Sequence, residues 1–222
     1  MTIVWPCQLG VDAYIEAGRR VEVLRPDCPD CLLPMSFWSG YRRHVRVAGL
    51  CKKIFIRRAR CSACQVTHAL LPAFLLVRRL DVVENIGEVI EKVTDKISGV
   101  RPVARQLGVP HTTARGWLRR FRARQDALAV SFAALSVELG ERLTLALSHF
   151  PRDALAAIRA AYVVASDLVG WAHLGCWRFV SAVVGGRLIA TNTNSLYLII
   201  GKRRFMVPVL FRQENDGGIH AR

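Results

Sequence analysis

Four of the seven cysteines fall into two Cys-x-x-Cys pairs, Cys28-Pro-Asp-Cys31 and Cys61-Ser-Ala-Cys64, with 29 residues between them. Two residues between cysteines let a tight turn aim both sulfurs at one point. Two such turns supply the four thiolates of a tetrahedral zinc site. A closed site of this kind keeps no open coordination position, so it stabilises the fold and catalyses nothing. One pair alone would read as a redox dithiol or as buried thiols. The second pair favours a structural Zn2+ held by Cys28, Cys31, Cys61 and Cys64. His68, four residues past Cys64, is the alternative ligand, but four sulfurs already complete the tetrahedron. Cys7, Cys51 and Cys176 lack a partner at ligand spacing and read as small apolar residues.

The second chemistry is cationic. Thirty-two Lys and Arg against 17 Asp and Glu leave a formal charge of +15, and most of the excess is Arg. Arginine suits bidentate contact to phosphates and guanine edges, although a GC-rich genome also favours its codons. Such a charge points to a polyanion partner. From Tyr41 to Cys64 there are eight basic residues and no acid: Arg42, Arg43, Arg46, Lys52, Lys53, Arg57, Arg58 and Arg60. A run like this is often only a solvated face. On a small metal-held sheet in a basic chain it reads as phosphate contact, with Arg42, Arg43, Arg57, Arg58 and Arg60 as candidates. Phe37, Trp38 and Tyr41 beside them suggest an alternative, stacking on the bases of RNA or a single strand.

The elements that must position these residues follow from composition and period. Between the cysteine pairs, Phe37, Trp38, Tyr41, Val45, Val47 and Ile54-Phe55-Ile56 are strand formers, punctuated by Gly40 and Gly49. Asp81 to Lys96 carries apolar residues at helical spacing and ends at Ser98-Gly99. A short helix follows, with Pro102 in its first turn, small Ala104 at the crossing and Gly108 ending it in a left-handed conformation. Val109 plugs the corner, and a second helix runs from about His111 to Arg124. Ala114, Trp117, Leu118 and Phe121 make its buried stripe. The opposite face presents His111, Thr112, Thr113, Arg115, Arg119 and Arg122, with Arg120 adjacent. Between Arg101 and Arg124 there are seven arginines and no acid. This is the pattern of a helix-turn-helix with its recognition helix, whose bland counterpart is a helical hairpin with a basic solvated face.

Residues 28 to 124 resemble the N-terminal half of bacterial insertion-sequence transposases, and an uncharacterised actinobacterial family with the same layout. The resemblance rests on Cys28-Pro-Asp-Cys31, Arg57-Arg-Ala-Arg-Cys61-Ser-Ala-Cys64, His68-Ala-Leu-Leu-Pro72 and Val103-Ala-Arg-Gln-Leu-Gly-Val-Pro-His-Thr-Thr-Ala-Arg-Gly-Trp117. It implies a module that binds the terminal inverted repeats of a mobile element. Such transposases continue into a nuclease domain in which three separated carboxylates hold two metal ions. After Arg124 this sequence has only Asp126, Glu138, Glu141, Asp153, Asp167, Glu214 and Asp216, none ending a recognisable strand, so no nuclease site and no catalytic residue is expected.

Ala127 to Leu147 and Asp153 to Val169 read as helices around Ser148-His-Phe-Pro151. They form either a cap on the preceding helices or a dimerisation hairpin. Trp171 to Ile189 is interrupted by Gly175, Gly185 and Gly186 and has no firm element. From Ser195 a bulky, strand-prone segment is either a hairpin or an unnatural tail. No charge-free stretch reaches the roughly 18 apolar residues of a membrane span, and Met1 to Gly10 lacks a basic leader. The expected fold is therefore mainly α with a small β zinc ribbon: a ribbon followed by a helix-turn-helix and a helical C-terminal region. Its units are 1–24 an N-terminal segment, 25–76 the ribbon, 77–126 the helix-turn-helix, 127–190 helical packing or dimerisation, and 191–222 a tail. The expected protein is a cytoplasmic, nucleoid-associated, sequence-specific DNA-binding factor in transposition or regulation, and not an enzyme. Its expected partner is double-stranded DNA, with a transposase or integrase subunit or a second copy of the chain as further candidates. A protein-interaction module is the remaining alternative.

Overall fold

Strand-forming residues alternate with basic ones from Met35 to Cys61. They build the two longest strands, β2 (Met35–Val47) and β3 (Leu50–Cys61). Two left-handed residues, Ala48 and Gly49, join them in the I′-like geometry whose twist suits a hairpin. In the computed structural model, which describes residues 2–140, 153–167, 171 and 173–190, this hairpin does not stand alone. β3 pairs antiparallel with β4 (Thr67–Pro72), and β4 pairs parallel with β1 (Thr2–Trp5). The result is a four-stranded mixed sheet of order β1-β4-β3-β2. Gly40, which looks like a break in sequence, lies inside β2 opposite Arg57. The Phe55 ring fills the space its side chain would take.

Among the described residues, seven helices follow the apolar periods: α1 (Val11–Ala17), continued by the 3-10 turn Gly18–Arg20, α2 (Val83–Thr94), α3 (Val100–Gln106), α4 (His111–Arg122), α5 (Gln125–Gly140), α6 (Ala154–Ser166) and α7 (Cys176–Val183). Gly108, at φ 64°, ends the α3 turn, and Val109 is buried beneath it. Helix α7 lies where the sequence predicts no firm element, since glycines interrupt the apolar run on both sides. They are its boundaries: Gly175 (φ 75°) precedes it, and Gly185 and Gly186 reverse the chain after it. The Trp177 ring sits against Gly87 of α2, where a Cβ would collide with it. The remainder of the expected helix to Leu147, the Ser148–Pro151 break, the end of the expected helix at Val169 and the segment from Ser195 lie outside the described residues.

The sheet corrects the expected architecture. The chain is a mixed α and β fold, not a mainly α one in which a small separate zinc ribbon precedes a helix-turn-helix. The hairpin strands are extended by β4 and by a strand from the N-terminal segment. That pairing was invisible in sequence because β1 has only four residues and meets a partner more than 60 positions away. The hairpin is also clamped to the helices at two points. Arg46 makes a two-pronged pair with buried Asp81, Nε to Oδ1 at 2.6 Å and Nη2 to Oδ2 at 2.9 Å. Gly49 at the hairpin tip packs on Gly108 so closely that a Cβ on Gly108 would lie 2.9 Å from the Gly49 Cα. Three apolar clusters result among the described residues. The largest joins α2 to α7, a second joins α1, the sheet and the 73–76 segment, and a small one lies at the cysteine end.

Candidate metal centre and nucleic-acid interface

The two Cys-x-x-Cys turns have one backbone design. In the first, Leu32 N–H donates to the Cys28 carbonyl at 2.8 Å, and Cys28 N–H donates to the Leu33 carbonyl at 2.8 Å. In the second, Gln65 N–H donates to the Cys61 carbonyl at 3.1 Å, and Cys61 N–H donates to the Val66 carbonyl at 3.0 Å. Leu32 (φ 58°) and Gln65 (φ 61°) are both left-handed, so each turn reverses immediately after its second cysteine. The β2–β3 register sets the turns side by side, since Met35, which follows the first, pairs with Cys61, which opens the second.

The four sulfurs consequently gather within 4.8 Å of one another, and those of Cys28 and Cys64 are 3.7 Å apart. A tetrahedral ion with metal–sulfur bonds of about 2.3 Å requires an edge of about 3.8 Å. The donor set therefore fits, and the four cysteines could hold a metal ion. Cys28 and Cys61 are buried, Cys31 is half-buried and Cys64 is exposed. Backbone N–H groups of Cys64 and Ala63 point at the Cys61 sulfur and lower its pKa to about 7. Side-chain hydrogen bonding with Cys64 pushes Cys31 up to about 12. An arriving cation displaces those protons.

His68 on β4 supplies a second fit criterion. It is 0% exposed, and neither ring nitrogen has a hydrogen-bond partner. Burial lowers its pKa, keeping the ring neutral. Its ring lies within 4.8 Å of the Cys28 sulfur and the Asp30 carboxylate. An orphaned buried imidazole is costly. An ionised Cys28 thiolate would accept its N–H, in the manner of the outer contacts that orient metal ligands. The remaining cysteines carry no such arrangement: burial raises Cys7 to about 11 and Cys176 to about 12, and Cys51 is exposed on β3.

The basic residues separate into committed and free groups. Arg43 donates through Nη2 to the carbonyls of Leu76, at 2.9 Å, and Arg79, and burial lowers its pKa. Arg57 donates to the Arg19 carbonyl and lies 5.1 Å over the Phe37 ring. Arg60 lies 4.8 Å over the Trp38 ring, and Arg58 is half-buried in β3 between Ser39 and Ala69. Arg42 is exposed and lines a groove of about 400 Å³ with Arg19, Lys53 and Phe55. Arg19 and Lys53 were missed as site residues; Arg19 comes from the N-terminal segment and only the fold brings it there.

Helix α4 is different. Ala114, Trp117, Leu118 and Phe121 are buried against the helical core. Thr112, Arg115, Arg119 and Arg122 are exposed and form one stripe along the opposite face. His111 and Thr113 are half-buried at its start, and Arg120 is half-buried beside Arg79, whose pKa falls through burial and then through this like charge. Among the described residues, Arg115, Arg119 and Arg122 take part in none of the ion pairs, which use Arg46, Lys52, Lys92, Arg159 and Arg178. No described helix is long and apolar enough to cross a membrane.

No curated protein and no solved structure matches the chain. Residues 28–107, running from the first knuckle cysteine through β2 to β4, α2 and α3 and stopping before α4, match a family model described as "Domain of unknown function (DUF6431)", and that stretch is similar to this family.

Proposed function

We propose that the chain binds double-stranded DNA sequence-specifically through α4, as a transposition-associated or regulatory factor without a nuclease site of its own, and that the ion at the four cysteines is a structural zinc. The observation that carries this reading is the exposed stripe Thr112, Arg115, Arg119 and Arg122, uncompensated by any acid from Arg101 to Arg124. From Thr112 to Arg122 the stripe runs about 15 Å at 1.5 Å per residue, and the major groove admits a helix. Short polar residues at the helix start suit base edges, and the later arginines suit the phosphates beside the groove. The four-thiolate set suits zinc and leaves no coordination position for a reaction. Nucleoid association in the cytoplasm follows from DNA as the partner.

Selection from random duplexes followed by gel-shift titration tests this. A sequence should enrich, and its affinity should fall linearly in log–log form as salt rises. Arg115→Ala with Arg119→Ala should weaken the selected site by at least tenfold, given about 1–3 kcal/mol for each good base contact. No enrichment, or unchanged affinity in the double variant, would overturn the assignment to α4. Metal analysis of the purified chain should find one zinc, and none would overturn that part.

A further inference from the structure

One flank of α4 carries cations that the exposed stripe leaves unused. At about 3.6 residues per turn, Gly116 and Arg120 lie side by side next to the stripe of Thr112, Arg115, Arg119 and Arg122. The Arg120 side chain reaches back along the helix, where its Nη1 lies 3.0 Å from the place a Cβ on Gly116 would take. Arg120 is half-buried, and among the described residues it makes no hydrogen bond and no ion pair. The segment between β4 and α2 brings Arg79 to the same flank. Its Nη2 donates to the Ile189 carbonyl at 2.7 Å. The neighbouring carbonyls of Arg187, at 3.0 Å, and Ala190 accept from Arg124, which lies about one turn beyond Arg120. These bonds fix Arg79 and Arg124 on one short turn, yet the Arg79 Nε stays buried without a partner. Burial, and then the like charges of Arg120 and Arg124, lower the Arg79 pKa, and no carboxylate among the described residues offsets them. Of the acids nearest in sequence, Asp81 is taken by Arg46, and Asp126 is exposed and joins none of the described ion pairs. Guanidinium groups gathered in this way repel one another, and an anion between them relieves that cost.

We infer that Arg79 and Arg120 hold a backbone phosphate of the duplex at one wall of the groove that α4 enters, with Arg124 as a positioning residue. This rests on the α4 reading and deepens it. A guanidinium offers its donors in a planar fork that matches two phosphate oxygens at once. Arg79 commits one of its donors to Ile189, and Arg120 commits none among the described residues. Phosphate contacts fix the register of a helix in the groove but carry no sequence information, so the flank and the stripe divide the work. The glycine beside Arg120 leaves that wall of the groove room to approach the helix. Arg79 was not a candidate in sequence, because only the fold sets the segment before α2 beside the end of α4.

The test uses the full chain, the duplex enriched by selection, a scrambled duplex of equal length, and polyglutamate. Arg120 is the residue to change, because no described hydrogen bond depends on it, and far-UV circular dichroism should be unaltered in Arg120→Ala. That variant should weaken both duplexes by the same factor, about fivefold, and reduce the log–log salt slope by about one. Arg120→Lys keeps the charge and should restore most of the slope. Replacing single phosphates of the selected duplex by neutral methylphosphonates should reveal one position that weakens the parent but not Arg120→Ala, as expected of a direct pair. Arg79→Gln should lose the effect at the same position. Arg115→Ala with Arg119→Ala should instead erase the preference for the selected duplex. Parent affinity for both duplexes in Arg120→Ala, with that preference lost in the Arg115 and Arg119 variant, would overturn the phosphate site and leave the α4 reading standing. Failure to enrich any duplex would sink the α4 reading and this site with it. A loss confined to the selected duplex in Arg120→Ala would make Arg120 a base contact and overturn the proposal. So would polyglutamate binding as tight as duplex binding that Arg120→Ala abolishes.

Discussion

The cysteine end and α4 treat the same residue, arginine, in opposite ways. On the hairpin, Arg43, Arg57 and Arg60 are anchored to carbonyls or laid over rings, and Arg46 is paired with Asp81. On α4, Arg115, Arg119 and Arg122 stand free of ion pairs among the described residues. A charge run in sequence is therefore not one surface. Its members must be sorted by what already occupies their donors, because an anchored guanidinium must break a contact before it can meet a new phosphate. The two ends are nevertheless joined, since the hairpin tip rests on the turn before α4 through Gly49 and Gly108.

The largest expected effect breaks one end and spares the other. Cys28→Ser or Cys61→Ser removes a buried ligand, and the small cluster of Ile3, Met35, Ala59 and Leu70 around them has too little apolar area to hold the two turns alone. Metal content should fall close to zero and the cysteine end should open. The helical cluster is separate, so far-UV circular dichroism should keep most of its helix signal. Complete loss of helix on metal removal would show that the ends fold as one unit.

Gly108→Ala cuts the link instead. It forces a left-handed residue to carry a Cβ, at about 1–3 kcal/mol, and drives that atom onto the backbone of Gly49. Denaturant midpoints should fall accordingly, with metal content intact. If stability is unchanged, the tip does not rest on this turn in solution. A smaller effect is confined to the metal end: His68→Phe keeps the volume and removes the N–H that an ionised Cys28 would accept. Loss of an outer contact of this type costs about 10- to 100-fold in metal affinity. Competition with a chelator measures it, and an affinity equal to the parent would leave His68 a mere filler of space.

How much of this was legible in sequence depended on the range of the interaction. The two turns, the buried stripe of α4 and the left-handed Gly108 are local consequences of spacing and could be read directly. The strand pairing of β1 with β4 and the clamp of Arg46 on Asp81 join segments far apart, and nothing in a linear pattern announces them. Gly40 misled because glycine was read as a break, when a neighbouring ring needed the space. Likewise Arg42 and Arg43 are adjacent and identical in sequence, yet one lines an open groove and the other is buried among carbonyls. Alternation along a strand separates them, but which face is covered is decided by the 76–79 segment.

The smallest expected effect sharpens the α4 side most. Gly116 lies mid-helix between Arg115 and Arg119, at ordinary helical φ, and a Cβ there would meet only the flexible Arg120 Nη1, at 3.0 Å. The fold gives no reason for glycine at this position, and its cost relative to alanine in a helix interior is about 1 kcal/mol. Gly116→Ala should therefore raise stability by up to that amount. On the proposed duplex-binding face, a missing side chain is where a groove wall or phosphate can come closest to the helix backbone. The same substitution should then lower affinity for the selected duplex. A variant that is both more stable and fully active on duplex would mean that DNA does not approach α4 at this point, and the contact face would have to be rotated toward Arg122.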